Sequence, residues 1–111
     1  MSFSIVCTRA GAFRIVLRGE LSPASTSLLR RELATLLVAR PSEVELSVPR
    51  RVLVPGAWAA LLESFFEILW SRGCRLTMVS GGEPSTSAVS IADRAQLRRV
   101  LVASGESSVA R

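Results

Sequence analysis

Apolar and polar positions change period several times along this 111-residue chain, and the changes divide it into short elements. Phe3 to Thr8 reads as a first strand, and Ala10-Gly11 as a turn. From Phe13 to Arg18, Phe13, Ile15 and Leu17 alternate with Arg14, Val16 and Arg18. That gives a second strand with one apolar and one mostly basic face, ended by Gly19. The short connection predicts an antiparallel hairpin. A polar loop, Leu21-Ser22-Pro23, leads into a helix that reaches about Val38. Ser22 or Ser25 is its candidate cap. Leu29, Leu33, Leu36 and Leu37 form its inward stripe, Arg30, Arg31 and Glu32 look outward, and Pro41 stops it.

Glu43 to Val48 is a third alternating strand, with Val44, Leu46 and Val48 on one side and Glu43, Glu45 and Ser47 on the other. Two prolines, Pro49 and Pro55, then bracket Arg50-Arg51-Val52-Leu53-Val54. Pro55 suits the first turn of a helix, where its missing N–H costs nothing. That helix spans about Gly56 to Arg72, and Gly73 is its C-terminal cap. Its apolar arc covers roughly 200°, against the ~100° stripe that one-sided burial needs. Trp58, Leu61, Leu62, Phe65 and Leu69 lie at the centre, Ala59, Phe66 and Trp70 to one side. Glu63, Ser64, Glu67 and Ser71 form the polar remainder.

Arg75 to Val79 is a fourth strand, and Ser80 to Ser87 a Gly/Pro/Ser-rich connection in which Gly81-Gly82-Glu83-Pro84 reads as a turn. A short helix from about Ser85 to Ala92 and a last strand around Val100 to Val102 complete the pattern, with 104–111 frayed. The order β-β-α-β-α-β-α-β predicts one α/β domain, a mixed four- to five-stranded sheet with three to four helices packed on it.

Charge changes this picture little. The formal net charge is +5, and every basic residue is an arginine. The doublets Arg30-Arg31, Arg50-Arg51 and Arg98-Arg99 are far apart and form no polybasic run. Nucleic-acid binding is therefore weakly signalled, and solvated faces or a surface for an acidic partner are the better readings. The chain has no His, Tyr or Lys, and its one aspartate is Asp93. Acid–base chemistry would rest on Glu or Cys alone, and no glycine-rich phosphate loop is present. A non-catalytic chain without cofactor or metal is the expectation. Cys7 and Cys74 lack metal or disulfide spacing and read as buried free thiols of a cytoplasmic protein. No signal peptide is evident at the N-terminus, and the most apolar helix is too short to span a bilayer, so direct membrane insertion is not expected.

The ordered pattern resembles the STAS family, the domain of anti-sigma factor antagonists and of the cytoplasmic ends of sulfate transporters. The resemblance rests on IVLRGELS at 15–22, LLRRELATLL at 28–37, VELSVPRRVLVPGAWAALLE at 44–63 and GCRLTMVSGGEPSTSAVSIADRAQLRRVLVA at 73–103. The last of these is similar to the family's Gly-x-x-Leu strand, third helix and closing strand. The family's signature, Asp-Ser-Ser-Gly with a phosphorylated second serine, falls on Pro55-Gly56-Ala57-Trp58. Ala57 thus stands at the position of the missing phosphoserine. Residues 48–63 hold no Ser, Thr or Tyr, and Ser47 occupies a place where the family often has an acidic residue.

The resemblance implies a bacterial, non-catalytic protein–protein interaction module in signal transduction. It would be an anti-sigma factor antagonist or partner-switching adaptor that is not phospho-regulated at the usual site. Its implied partner-binding residues are Arg50, Arg51, Val52, Leu53, Val54, Gly56, Ala57 and Trp58. The partner would be a kinase-like anti-sigma protein or another signalling complex. One alternative is an accessory subunit bound to the ATPase of a lipid-transport ABC system. Another is a homodimeric structural or polarity protein that uses Phe66 and Trp70 as a second contact or dimer face.

Overall fold

The structure, a computed structural model, describes residues 3–18, 23–49, 54, 56–80 and 88–109. Outside the described residues fall Gly19, Ser22, Arg50, Arg51, Val52, Leu53, Pro55 and the predicted turn at Gly81 to Pro84. Five strands and three helices follow in the order β1 (Phe3–Arg9), β2 (Ala12–Leu17), α1 (Thr26–Val38), β3 (Glu43–Val48), α2 (Gly56–Ser71), β4 (Arg75–Ser80), β5 (Val89–Ser90) and α3 (Arg94–Val109). The fold is α/β with a mixed sheet, as the pattern predicts.

The strands lie side by side in chain order. β1 and β2 form the predicted antiparallel hairpin, β2, β3 and β4 run parallel, and β5 closes the other edge antiparallel. Two successive parallel connections that step the same way across a sheet place their helices on the same face, because such crossovers are right-handed. Accordingly Leu29, Leu33 and Leu36 of α1 share one core with Trp58, Leu62, Phe65, Phe66 and Leu69 of α2. The sheet supplies Phe3, Ile15, Leu17, Val44, Leu46, Val48, Leu76 and Met78 to it. The alternation predicted for β2 and β3 is the alternation found. On the opposite sheet face, Val6, Arg14, Glu45, Thr77 and Ser90 are register neighbours in one row. Arg14 Nε donates to Glu45 Oε2 at 2.7 Å within it.

The turns follow from local chemistry. Gly11 has φ of +78°, and its carbonyl accepts from Ser42 N–H at 2.8 Å, which ties the hairpin to the start of β3. Gly73, at φ +77°, ends α2 with Cys74 N–H on the Leu69 carbonyl and its own N–H on that of Trp70, both at 3.0 Å. That pair of bonds is a Schellman cap, in which a left-handed residue lets the chain turn back over the last carbonyls. Ser25 occupies the cap position of α1 after a 3-10 turn at Pro23–Ser25, but its side chain makes no capping hydrogen bond.

The C-terminal quarter corrects the sequence reading. The helix expected over 85–92 is not there in its described part, where Val89–Ser90 pairs with Thr77 and Met78 as β5. The strand expected at Val100–Val102 lies inside α3, which runs to Val109. Leu97 and Leu101 are buried and Val100 packs beside them, which is a helical i, i+3, i+4 spacing. Asp93 starts the helix: its Oδ1 accepts from Gln96 N–H at 2.8 Å, while Gln96 Oε1 accepts from Ala92 N–H at 2.9 Å. This reciprocal arrangement is a variant of the capping box, and Asp-x-x-Gln is its sequence mark. Cys7 is a second correction. It is exposed, because β1 is an edge strand, whereas Cys74 is buried; both thiols are free.

Candidate functional site

The parallel strands β2, β3 and β4 end where α1 and α2 begin, so the start of α2 sits at the carboxyl end of the sheet. Open α/β sheets bind their ligands outside that end. Gly56 and Ala57 are exposed there, and Val54 is half-buried against the core. Among the described residues, nothing lies within 4 Å of where a Gly56 Cβ would be. The first turn of α2 thus offers a smooth backbone surface.

Trp58 does not belong to that surface. It is 0% exposed and packs edge-to-face on Phe3, with ring centroids 5.7 Å apart. The helical rotation that turns Ala57 outward turns Trp58 inward, and the large indole buries more apolar area than any neighbour would. The expected partner-binding set therefore divides. Val54, Gly56 and Ala57 sit together at the helix start, Trp58 is core, and Arg50, Arg51, Val52 and Leu53 lie outside the described residues.

The expected second contact divides in the same way: Phe66 is covered and Trp70 only half so. Phe66 is 0% exposed, between Phe65 at 5.8 Å and Trp70 at 6.0 Å. Trp70 is half-buried, and its Nε1 donates to the Ile91 carbonyl at 3.0 Å. The apolar arc of α2 faces the sheet on one side and α3 with Ile91 on the other, which encloses Phe66 and leaves Trp70 partly exposed.

One feature of α2 escaped the sequence reading. Glu63, assigned to a polar outer strip, is 4% exposed and is the one buried charged side chain among the described residues. Arg94 Nε and Arg98 Nη2 donate to its Oε1 at 2.7 and 2.8 Å, and Arg94 Nη1 reaches Glu67 Oε2 at 3.1 Å. Because Glu67 meets Arg94 and Glu63 reaches on to Arg98, the two helices run antiparallel. The Arg98 hydrogen bonds, followed by those of Arg94, hold the Glu63 carboxyl below its usual range against the opposing effect of burial. The signal was available: Arg94 and Arg98 are four apart, and once the segment is read as a helix they share a face. Every member of the cluster is paired, so it clamps α3 onto α2 and presents no unused acid or base to a substrate.

Among the described residues, no group of three or more His, Cys, Asp or Glu side chains could hold a metal ion. Among them too, no helix is long and apolar enough to cross a membrane. No protein-family model matches the chain, and neither a curated protein nor a solved structure matches it.

Proposed function

We propose that the chain is a non-catalytic docking module of the STAS type, an anti-sigma factor antagonist-like adaptor that grips a partner protein with the start of α2. The observation that carries this reading is the juxtaposition of exposed Gly56 and Ala57 with Trp58 locked into the core one residue later. A first turn of small residues lets a partner's surface approach closely, and the anchored indole fixes where that turn sits. Such pre-organisation reduces the ordering cost of association. The partner is a kinase-like anti-sigma protein that is bound without a phosphorylation switch, since a phosphate needs a hydroxyl and residues 48–63 have none.

Two substitutions at one position test the reading. Ala57→Glu places a negative charge in the first turn of a helix, where it favours folding. Captured from native cells, the wild type brings down a kinase-like anti-sigma protein, Ala57→Glu loses it, and Ile68→Gln, changed elsewhere on α2, keeps it. Retention by Ala57→Glu would remove the start of α2 from the interface, and capture of a transporter ATPase instead would move the chain to a lipid-transport system. Ala57→Ser, incubated with the captured kinase and ATP, gains a phosphosite that the wild type lacks between residues 48 and 63. Release of the partner on phosphorylation of the wild type at any other position would overturn the constitutive reading.

A further inference from the structure

At the opposite end of the sheet, where α1 and α2 finish and β3 and β4 begin, lies a cleft of about 250 Å³. It is lined by Arg40, Pro41, Ser42, Arg72, Gly73 and Cys74. No carboxylate lines it, and the nearest acid along the chain, Glu43, is ion-paired with Arg9. Arg72 Nη1 donates to the Leu37 carbonyl at 3.0 Å, and Arg40 N–H donates to the same oxygen at 3.1 Å. The Arg72 guanidinium thus sits against the Arg40 backbone, and both residues line the cleft. The Arg40 guanidinium has no partner among the described residues, and most N–H groups of Arg72 are unspent.

A simpler account would have both arginines neutralise the negative ends of the two helices. The hydrogen bonds argue against it. In the final turns of α1 and α2, the carbonyls of Thr35, Leu36, Leu37, Ile68, Leu69 and Trp70 already accept from Ala39, Arg40, Arg72, Gly73 and Cys74 N–H and from Ser71 Oγ. A single N–H of Arg72 adds to that. Arg40 moreover stands at φ +52° and is the only non-glycine residue with positive φ among those described. Glycine caps a helix there without strain, so the sequence keeps an arginine at a conformational cost. Strain that persists at a cleft motivates a search for function.

We propose that this cleft binds a small phosphate-bearing ligand, either inorganic phosphate or the phosphate end of a monoester, through the guanidiniums of Arg40 and Arg72. Planar N–H forks fit phosphate and carboxylate oxygens alike. Two positive charges match the roughly −1.5 to −2 of a phosphate monoester at neutral pH better than the single charge of a carboxylate. The volume falls below the ~300–1,000 Å³ of pockets for drug-sized molecules, which selects an ion or a phosphate terminus over a whole nucleotide.

The test is titration calorimetry at fixed ionic strength with inorganic phosphate, glycerol 3-phosphate and acetate as separate probes. The wild type binds one of the two phosphates saturably and acetate at least ~10-fold more weakly. Arg40→Gly binds ~10-fold or more weakly while its melting temperature rises, because glycine relieves the left-handed strain. Arg72→Gln also weakens binding, and Arg31→Gln, on the exposed side of α1, does not. Tighter binding of glycerol 3-phosphate assigns the site to a phosphorylated molecule, and tighter binding of phosphate to the free ion. Absence of saturation, wild-type affinity in Arg40→Gly, equal weakening by Arg31→Gln, or equal affinity for acetate would each overturn the proposal.

Discussion

The two ends of α2 are built on opposite plans. Among the described residues, the surface at its start is small and uncharged, Gly56 and Ala57, and Trp58 one residue later points into the core. At its finish the surface is a cleft between two arginines, and the chain turns there through left-handed residues, Arg40 after α1 and Gly73 after α2. One end is fixed by apolar burial and leaves its backbone accessible. The other is fixed by backbone hydrogen bonds and leaves charged donors unspent. The first arrangement suits contact with a broad protein surface, the second a compact anion. Substitutions can therefore separate the two ends by what they change, and by how much.

Trp58→Ala carries the largest expected effect. Removing a fully buried indole costs about 3–5 kcal/mol, and it also frees the edge of Phe3 on β1. The start of α2 then loses its anchor, so docking falls with stability, whereas phosphate binding at the far end survives at temperatures where the variant remains folded. Urea unfolding followed by the remaining fluorophore, Trp70, reads the stability loss. A cost under about 1 kcal/mol would mean that the indole does not fix the helix start.

The clamp in the middle of α2 comes next. Arg94→Ala combined with Arg98→Ala removes both partners of the Glu63 carboxylate and loosens α3 from α2, with a smaller loss than at Trp58 because both guanidiniums are exposed and screened by solvent. The pH dependence distinguishes this from a general loss of packing. In the wild type the folded-state pKa of Glu63 lies below its ordinary 4.5. The folded protein there binds fewer protons than the unfolded chain, so this contribution is complete above about pH 4.5 and is lost as pH falls through the lowered value. Without the two arginines, burial alone raises the Glu63 pKa. Unfolding free energy measured between pH 6 and 4 then increases on acidification, relative to a Glu63→Gln control. An unchanged slope would show that the ion pairs do not set the charge of Glu63.

How much of this was legible in the sequence depended on whether periodicity was the deciding signal. Phe13-Ile15-Leu17 and Val44-Leu46-Val48 alternate cleanly and emerged as strands with the expected faces. Pro41 and Gly73 punctuate α1 and α2 where expected. The segment 85–109 failed because an apolar triplet, Val100-Leu101-Val102, outweighed the helical spacing of Leu97, Val100 and Leu101 and the Asp93-x-x-Gln96 cap. That error hid the Arg94–Glu63–Arg98 clamp, since the two arginines face the same way only on a helix. It also left Phe66 and Trp70 without the cover that α3 and Ile91 provide. For the candidate docking residues, the helical pattern already put Trp58 at the centre of the apolar arc of α2; it was the resemblance that counted Trp58 with the exposed Gly56 and Ala57, and the structure sides with the pattern. The cleft had no local signature. Arg40 and Arg72 meet only because two helices of different length end at the same edge of the sheet.

The smallest effects give the sharpest contrast, because the two left-handed residues at the cleft end should respond with opposite sign. Gly73→Ala puts a Cβ at φ +77°, where no atom of the described residues lies within 4 Å of it, so the cost is conformational, about 1 kcal/mol. Arg40→Gly reverses the logic and stabilises by about 0.5–1 kcal/mol, since the left-handed backbone then needs no side-chain compromise. Neither change touches Gly56 or Ala57, so partner capture at the far end is unaffected by both. Paired thermal melts at one pH and salt concentration supply the measurement. Were both variants destabilised alike, the Arg40 side chain would be holding the turn together rather than standing in strain, and the contrast drawn between an apolar-anchored end and a charge-presenting end would fail at its second half.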